Sequence, residues 1–177
     1  MKFCAPCEAP VVKGDMFNKS QCPRNEVERR LVNSEEYVSA VGSLMYAVSC
    51  IRPDISYIVG ILGRFQQNPG VAHWKAIKKV LRYLQRTKDF MLVYRRSENL
   101  EVVGYSDSDF AGCADSREST SGYIFLLAGG AVSWKSAKQS LVTTSTMEAE
   151  YVAVFELTLH ASWLKNFISE LKVVNSI

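Results

Sequence analysis

Apolar residues recur every three or four positions in the first half of the chain and alternate in much of the second, with the change near residue 88. From Ser34 onward, Tyr37, Val41, Leu44, Met45 and Val48 keep helical spacing. The stretch "CIRPDISY" interrupts them. Pro53 suits the first turn of a new helix, and Asp54 falls near its positive end. Ile55, Ile58, Val59, Leu62 and Phe65 then form a second stripe that "QNPG" stops. A third helix spans about 72–86, with Trp74, Ile77, Leu81 and Leu84 as its buried stripe. Residues 1–33 mix Pro, Gly, Asn and Lys irregularly and read as a loop-rich lead-in. Beyond the change of period, "FMLVYRR" (90–96) and "LEVVGYSDSD" (100–109) read as strands separated by "SEN". "SGYIFLLAGGAVSWKS" reads as a second pair, turning at Gly129–Gly130. A long helix follows, from about Thr146 to Leu171. No repeat and no low-complexity tract interrupts this order.

The long helix carries a charge in an awkward place. Ser145 and Glu148 have the spacing of a capping box, which gives Glu148 a structural task. Met147, Val154, Leu157, Ala161, Leu164, Ile168 and Leu171 follow inward-facing spacing, and Glu150 sits on the same stripe. A buried carboxylate there needs a pair, hydrogen bonds or a cation. A stripe edge in the first helical turn, where the side chain reaches water, needs none. Asp107 ends the strand before the hairpin, and parity puts it with Tyr105 and Asp109. Aspartates at a strand end serve turns, but one carboxylate from a strand and one from an adjoining helix can also converge on a hard divalent cation.

Composition adds little: 177 residues, 47% hydrophobic and 22% charged, fit a soluble globular chain of one domain or two small ones. No apolar run has the length of a membrane span, and "MKFCAPCEAP" lacks the apolar core of a signal peptide. Without an export signal, five cysteines read as thiols. Cys4 and Cys7 have C-x-x-C spacing, but Pro6 and Pro10 set them in a loop. Cys22 is the one candidate third ligand, and neither His73 nor His160 is paired with another ligand. Charge distribution says more. Residues 72–97 hold 8 basic and 1 acidic residue, whereas residues 98–177 hold 5 basic and 10 acidic. Lys75, Lys78, Lys79, Arg82 and Arg86 line the third helix. They form either a solvated face or a phosphate-neutralising contact with nucleic acid.

Several motifs together carry a family resemblance. "AVGSLMYAV", "RPDISYIVG", "NPGVAHWKAIKKVLRYLQRTKD", "VGYSDSDFAG", "DSRESTSGYIFLLAGGAVSWKSAKQ" and "STMEAEYVA" resemble, in order and spacing, the Pol polyprotein of copia-type LTR retrotransposons of the plant kind. The resemblance covers almost the whole chain. It implies a mixed α+β or α/β molecule in two parts. Residues 1–88 correspond to the helical thumb and connection end of the reverse transcriptase. Residues 89–177 correspond to the first part of an RNase H-like domain, with three antiparallel strands and the first helix. That family cleaves the RNA strand of RNA–DNA hybrids with two magnesium ions. The resemblance maps its first aspartate onto Asp107 and its glutamate onto Glu150, as catalytic and metal-binding residues. It assigns no role to Asp109.

The resemblance also implies what to expect of this stretch. The reverse transcriptase "Y-x-D-D" aspartates have no counterpart here, so polymerase activity is not expected. The third and fourth RNase H carboxylates, near "C-D-N" and "K-H-I" segments, are expected beyond "ELKVVNSI". Magnesium binding is therefore expected to be weak or absent, and hybrid cleavage is not expected. The implied partners are an RNA–DNA hybrid or other nucleic acid and the rest of the Pol polyprotein, in an intracellular, cytoplasmic setting with no membrane. A missing fourth strand would leave the Leu100–Asp107 strand with an open edge, and with it marginal stability or self-association. A non-catalytic nucleic-acid-binding module and a translated relic are the competing expectations.

Overall fold

The computed structural model describes residues 5–12, 14–97 and 100–171. It divides into two compact units, Met1–Met91 and Leu92–Ile177. Helices fill the first unit, and an antiparallel sheet with one helix fills the second, which makes the chain α+β. Among the described residues no helix is long and apolar enough to cross a membrane.

In the first unit, a single helical turn, α1 (Glu26–Arg29), precedes α2 (Ser34–Cys50). Asn33 caps α2 by accepting from the amides of Glu35 and Glu36. A 3-10 turn at Pro53–Ile55 leads into α3 (Ser56–Leu62), and α4 (Val71–Arg86) closes the unit. Tyr37, Val41 and Leu44 of α2 meet Ile58, Val59 and Leu62 of α3 and Ala76, Ile77 and Val80 of α4 in one core. The helical periods predict most of these contacts. The exception is α4, whose most buried side chains are His73, Ala76, Ile77 and Val80, with Trp74, Leu81 and Leu84 only partly covered. His73 is buried for a local reason. Its Nδ1 accepts from the Gly70 amide at 3.0 Å, and its ring stacks on Phe65 with centroids 3.9 Å apart. Gly70 is required there, because a β-carbon would run into the Gln21 carbonyl.

Arg52 sits almost fully buried at the start of α3. Its Nε and Nη2 donate to both carboxylate oxygens of Asp54, at 3.0 and 2.7 Å. Nη2 also donates to Thr87 Oγ1 at 2.6 Å, and Tyr83 Oη donates to Asp54 Oδ2 at 2.7 Å. The network ties the entrance of α3 to the end of α4. Burial pushes the Asp54 carboxyl up. The hydrogen bonds from Arg52 and Tyr83 and the Arg52 charge outweigh burial, and the carboxyl is held below its ordinary range.

The second unit contains β1 (Val102–Asp109), β2 (Thr120–Leu127) and β3 (Gly130–Lys138), antiparallel in the order β1-β2-β3. Helix α5 (Thr146–Glu170) packs on β1 and β2. Phe125, Leu164 and Ile168 form its buried core, with Val102, Tyr123, Leu157 and Ala161 around them. The expected strand over 90–96 is absent: this segment joins no sheet. It is held by a side chain instead of a ladder, since Tyr94 Oη donates to the Ala131 carbonyl at 2.7 Å. The hairpin turn lies one residue earlier than expected, at Ala128–Gly129, both with positive φ (49° and 81°). That is the sense of a type I′ turn, and Ala128 is the wrong residue for it. Replacing Ala128 with Asn is expected to stabilise the second unit by about 0.5–1 kcal/mol, read as a higher urea midpoint. A lower midpoint would show that the turn does not carry this strain.

Candidate functional site

The "YSDSDFAG" stretch holds two aspartates with different roles. Asp109 belongs to the turn, because its carboxylate folds over the α-carbon of Gly112 and occupies the space a β-carbon there would need. Asp107 is exposed on β1, and its Oδ1 accepts from the next amide, Ser108, at 2.9 Å.

Strand parity decides which way Asp107 faces. A β-carbon on Gly104 would meet the Phe125 ring and Leu157 of α5, so the even positions of β1 face the helix. Gly104 pairs with Phe125, and Asp107 pairs with Gly122. Asp107 therefore lies on the other face, with Tyr105 and Asp109. Side chains leave that face open at this level, since a β-carbon on Gly122 would approach only the carbonyls of Lys135 and Asp107 within 4 Å.

At the other side of the sheet, α5 begins with Ser145, whose side chain accepts from the Glu148 amide at 3.2 Å. Glu148 Oε2 in turn accepts from the Thr144 amide and hydroxyl at 2.6 and 2.8 Å. These two bonds hold its carboxyl below the usual range. The Ser145 half of the predicted capping box is therefore formed, whereas Glu148 reaches one residue further back, to Thr144, in place of the Ser145 amide.

Glu150 is exposed, which decides between its two readings in favour of a stripe edge that reaches water. The helix turns a different face to the sheet than the large side chains imply. Ala149 and Ala153 are buried, whereas Met147 and Val154 are exposed at 78% and 49%. Two alanines let the first turns of α5 approach the sheet closely, and Glu150 sits at the edge of that contact. Leu164 and Ile168 are buried as expected, and Leu171 is not.

Gln139 fixes the level at which α5 starts. It is buried, and its Nε2 donates to Ser121 Oγ and to the Ala149 carbonyl, both at 2.9 Å. Ser121 pairs with Ser108, the neighbour of Asp107. The first turn of α5 and the Asp107 position thus share one end of the sheet while belonging to opposite faces. No period marks Gln139, because a polar residue past a strand end carries none. Ser119 and Thr143, both buried and hydrogen-bonded to each other at 2.7 Å, reinforce the same corner.

Among the described residues no group of three or more His, Cys, Asp or Glu side chains is placed to hold a metal ion. Cys7, Cys22, Cys50 and Cys113 are thiols, and Cys4 lies outside the described residues.

The basic face of α4 is less open than its sequence implies. Lys79 pairs with Asp15, and Arg86 pairs with Glu8 at 3.4 Å. Arg82 is half-buried. Lys75 and Lys78 are exposed, and the Lys78 ammonium lies 5.4 Å from the centre of the Trp74 ring.

No family model and no solved structure matches the chain. Curated relatives do. The chain is 44% identical over 171 residues to the retrovirus-related Pol polyprotein from transposon TNT 1-94 of Nicotiana tabacum, covering 97% of this chain and 13% of that protein. It is 39% identical over 144 residues to the Pol polyprotein from transposon RE2 of Arabidopsis thaliana, covering 81% of this chain and 10% of that protein. It is also 50% identical over 128 residues to the secreted RxLR effector protein 161 of Plasmopara viticola, covering 72% of this chain and 90% of that protein. The chain thus spans a small part of the Pol relatives. With identities of this size over most of its own length, the chain belongs to the Pol polyproteins of copia-type retrotransposons.

Proposed function

We propose that the second unit is the opening β-β-β-α segment of an RNase H-type domain, and that the first unit belongs to the end of the reverse transcriptase. In this reading Asp107 and Glu150 are the first two carboxylates of the nuclease site. The observation that supports it is the element order: an exposed aspartate on β1, two further antiparallel strands, then a helix with an exposed glutamate in its first turn. Both lie at one end of the sheet. Within the Pol family that combination favours phosphodiester chemistry on an RNA–DNA hybrid.

Two oxygen donors have the right chemistry for magnesium, which prefers carboxylates and keeps much of its water. The donor set does not fit a resident ion pair. Asp107 belongs to the face away from α5, and no third ligand joins them among the described residues. We therefore derive no catalytic step through a metal and expect no hybrid cleavage by this chain. The test is a manganese titration followed by NMR. Broadening at millimolar manganese is expected around Asp107 and Glu150, and it should weaken in Asp107→Asn. Broadening confined to other acidic residues would sink the assignment. Magnesium-dependent cleavage of a labelled hybrid, lost in Asp107→Asn, would instead overturn the expectation of inactivity.

A second reading, nucleic-acid binding by the first unit, rests on exposed Lys75 and Lys78 beside half-buried Arg82. Of the five basic residues named on α4, these three are the ones left open to phosphate, because Lys79 and Arg86 have acidic partners. Duplex affinity is expected to fall with salt with a log–log slope of about −2 to −3. A slope near zero, or one unchanged in Lys75→Ala/Lys78→Ala, would exclude this face.

A further inference from the structure

We propose that His160 is a proton-sensitive latch between α5 and β3: as a neutral imidazole it holds the middle of the helix to the sheet, and as a cation beside Lys135 it loosens that hold. Helix α5 packs on β1 and β2, which leaves β3 as the edge of the sheet away from it. His160 reaches across to that edge. Its Nε2 lies 2.8 Å from Ser133 Oγ of β3, in a hydrogen bond whose donor depends on the tautomer. The half-buried ring stacks on Tyr123 with centroids 5.0 Å apart and lies tilted against Phe125 at 5.4 Å and Trp163 at 5.2 Å. Three aromatic side chains and a hydroxyl thus surround the imidazole, and none of them is a counter-ion.

The titratable and charged groups near this ring come from several elements. On β3, Lys135 pairs with Tyr123 as Ser133 pairs with Phe125, so Lys135 and Ser133 share the face turned to His160. On β2, the Tyr123 phenol is pushed up by burial and then by the charge of Glu156. Glu156 stands one turn before His160 on α5 itself. The positions of β1 that face the helix, Val102, Gly104, Ser106 and Ser108, do not titrate. Tyr94 lies against Gly130 at the start of β3 and donates to the Ala131 carbonyl, with Arg95 and Arg96 exposed after it. Further along α5, Lys165 is turned about 140° around the axis from His160, and Glu170 is about 15 Å away along it.

Glu156 favours the imidazolium, and the Tyr123 and Trp163 rings return part of the cost of charging it. Burial and then the Lys135 charge outweigh them, and the imidazole is held below its ordinary value of 6.5. Protonation need not break the bond to Ser133, because the hydroxyl can accept from Nε2. The cost lies in the charge itself, part-covered by rings and set beside an ammonium. The folded chain therefore binds this proton less readily than the unfolded chain. The latch contributes fully above about pH 6.5, and its contribution is lost as the pH falls through the lower folded value.

His160 is the one histidine of the second unit, since His73 belongs to the first. Between about pH 5 and 7.5, above ordinary carboxyls and below ordinary thiols, a histidine is the side chain expected to titrate. The test is urea unfolding of the 177-residue chain followed by NMR through the Trp134 and Trp163 indole signals, with the His160 imidazole titrated alongside. The urea midpoint is expected to hold steady from about pH 7.5 to 6.5 and to fall toward pH 5. His160→Gln keeps a donor and an acceptor for Ser133 without a charge, and should abolish that fall. Lys135→Gln should move the imidazole titration upward. A midpoint that stays level in the native chain, or falls equally in His160→Gln, overturns the proposal. So does an imidazole that titrates at or above 6.5 in the native chain, or one unmoved by Lys135→Gln. The imidazole titrations decide the matter even where His160→Gln does not fold. None of these readouts involves a metal or a nucleic acid, so the latch is tested apart from the nuclease reading.

Discussion

Replacing Phe125 with alanine is expected to cost the second unit about 3–5 kcal/mol. The buried apolar core of that unit is small: Phe125, Leu164 and Ile168, with partly covered neighbours. Phe125 is 2% exposed and touches every layer. Its ring meets Tyr123 edge-on at 5.7 Å and His160 at 5.4 Å, and it fills the space above Gly104, where Leu157 of α5 also arrives. Removing it opens a cavity between sheet and helix that no adjacent side chain can fill without leaving its own contacts. Global stabilities of small domains run to about 0.05–0.15 kcal/mol per residue, so a loss of this size takes a large share of what a unit this small has. Urea unfolding followed by Trp134 and Trp163 emission reads it. The same geometry predicts a coupling. A β-carbon on Gly104 would come within 2.8 Å of the Phe125 ring, so Gly104→Ala should destabilise the native chain and be much better tolerated beside Phe125→Ala. Additive costs would show that the ring and Gly104 are not in the contact described.

How far such contacts could be read in advance depended on how sharply side-chain size follows position. In α2 and α3 it largely does: Tyr37, Val41, Leu44, Ile58, Val59 and Leu62 follow the period and are buried, although Met45 of the same predicted stripe is exposed. In α5 it does not. Large apolar side chains occur on several sides of the helix, so period alone fixes no inward face. The deepest residues of the first turns are Ala149 and Ala153, whose weak hydrophobic signal hides the close approach they permit. Glu150 falls on the apolar stripe for that reason, and of its two readings, buried or at a stripe edge reaching water, the structure shows the second. The 90–96 segment misleads in another way. Its residues favour a strand, but a strand needs a ladder partner, and Tyr94 supplies a single side-chain bond in its place. Asp107 and Glu150 were recognisable as candidates from parity, the first helical turn and family motifs together. Their opposite faces follow from the pairing of Asp107 with Gly122, which no single-strand pattern contains. Gln139 and the Arg52 network were hidden for the same reason: each joins residues far apart in sequence, Arg52 to Thr87 across 35 positions.

The Arg52 network also gives the other large expected effect. Asp54→Ala should destabilise the first unit by about 2–4 kcal/mol, because it strands a guanidinium whose side chain is 9% exposed, with Thr87 as its remaining polar partner in this network. Asp54 itself is 35% exposed, so the reverse change, Arg52→Ala, should cost less: its carboxylate can turn to water and keeps the Tyr83 hydroxyl. That asymmetry separates a buried-cation cost from the simple loss of an ion pair, which would weigh equally from either side. The pH dependence follows from the same arrangement. The Asp54 carboxyl is held below its ordinary value of 3.8, so the folded chain binds its proton less readily than the unfolded chain. Its contribution is complete above about pH 4 and is lost as the pH falls through the lower folded value. Asp54→Asn should therefore lower stability at neutral pH and flatten this part of the acid limb. Circular dichroism melts between about pH 2 and 7 test both points, since that range brackets ordinary carboxyl titration. An unchanged acid limb in Asp54→Asn, or equal costs for Asp54→Ala and Arg52→Ala, would mean that the burial of Arg52 is not what makes this network matter.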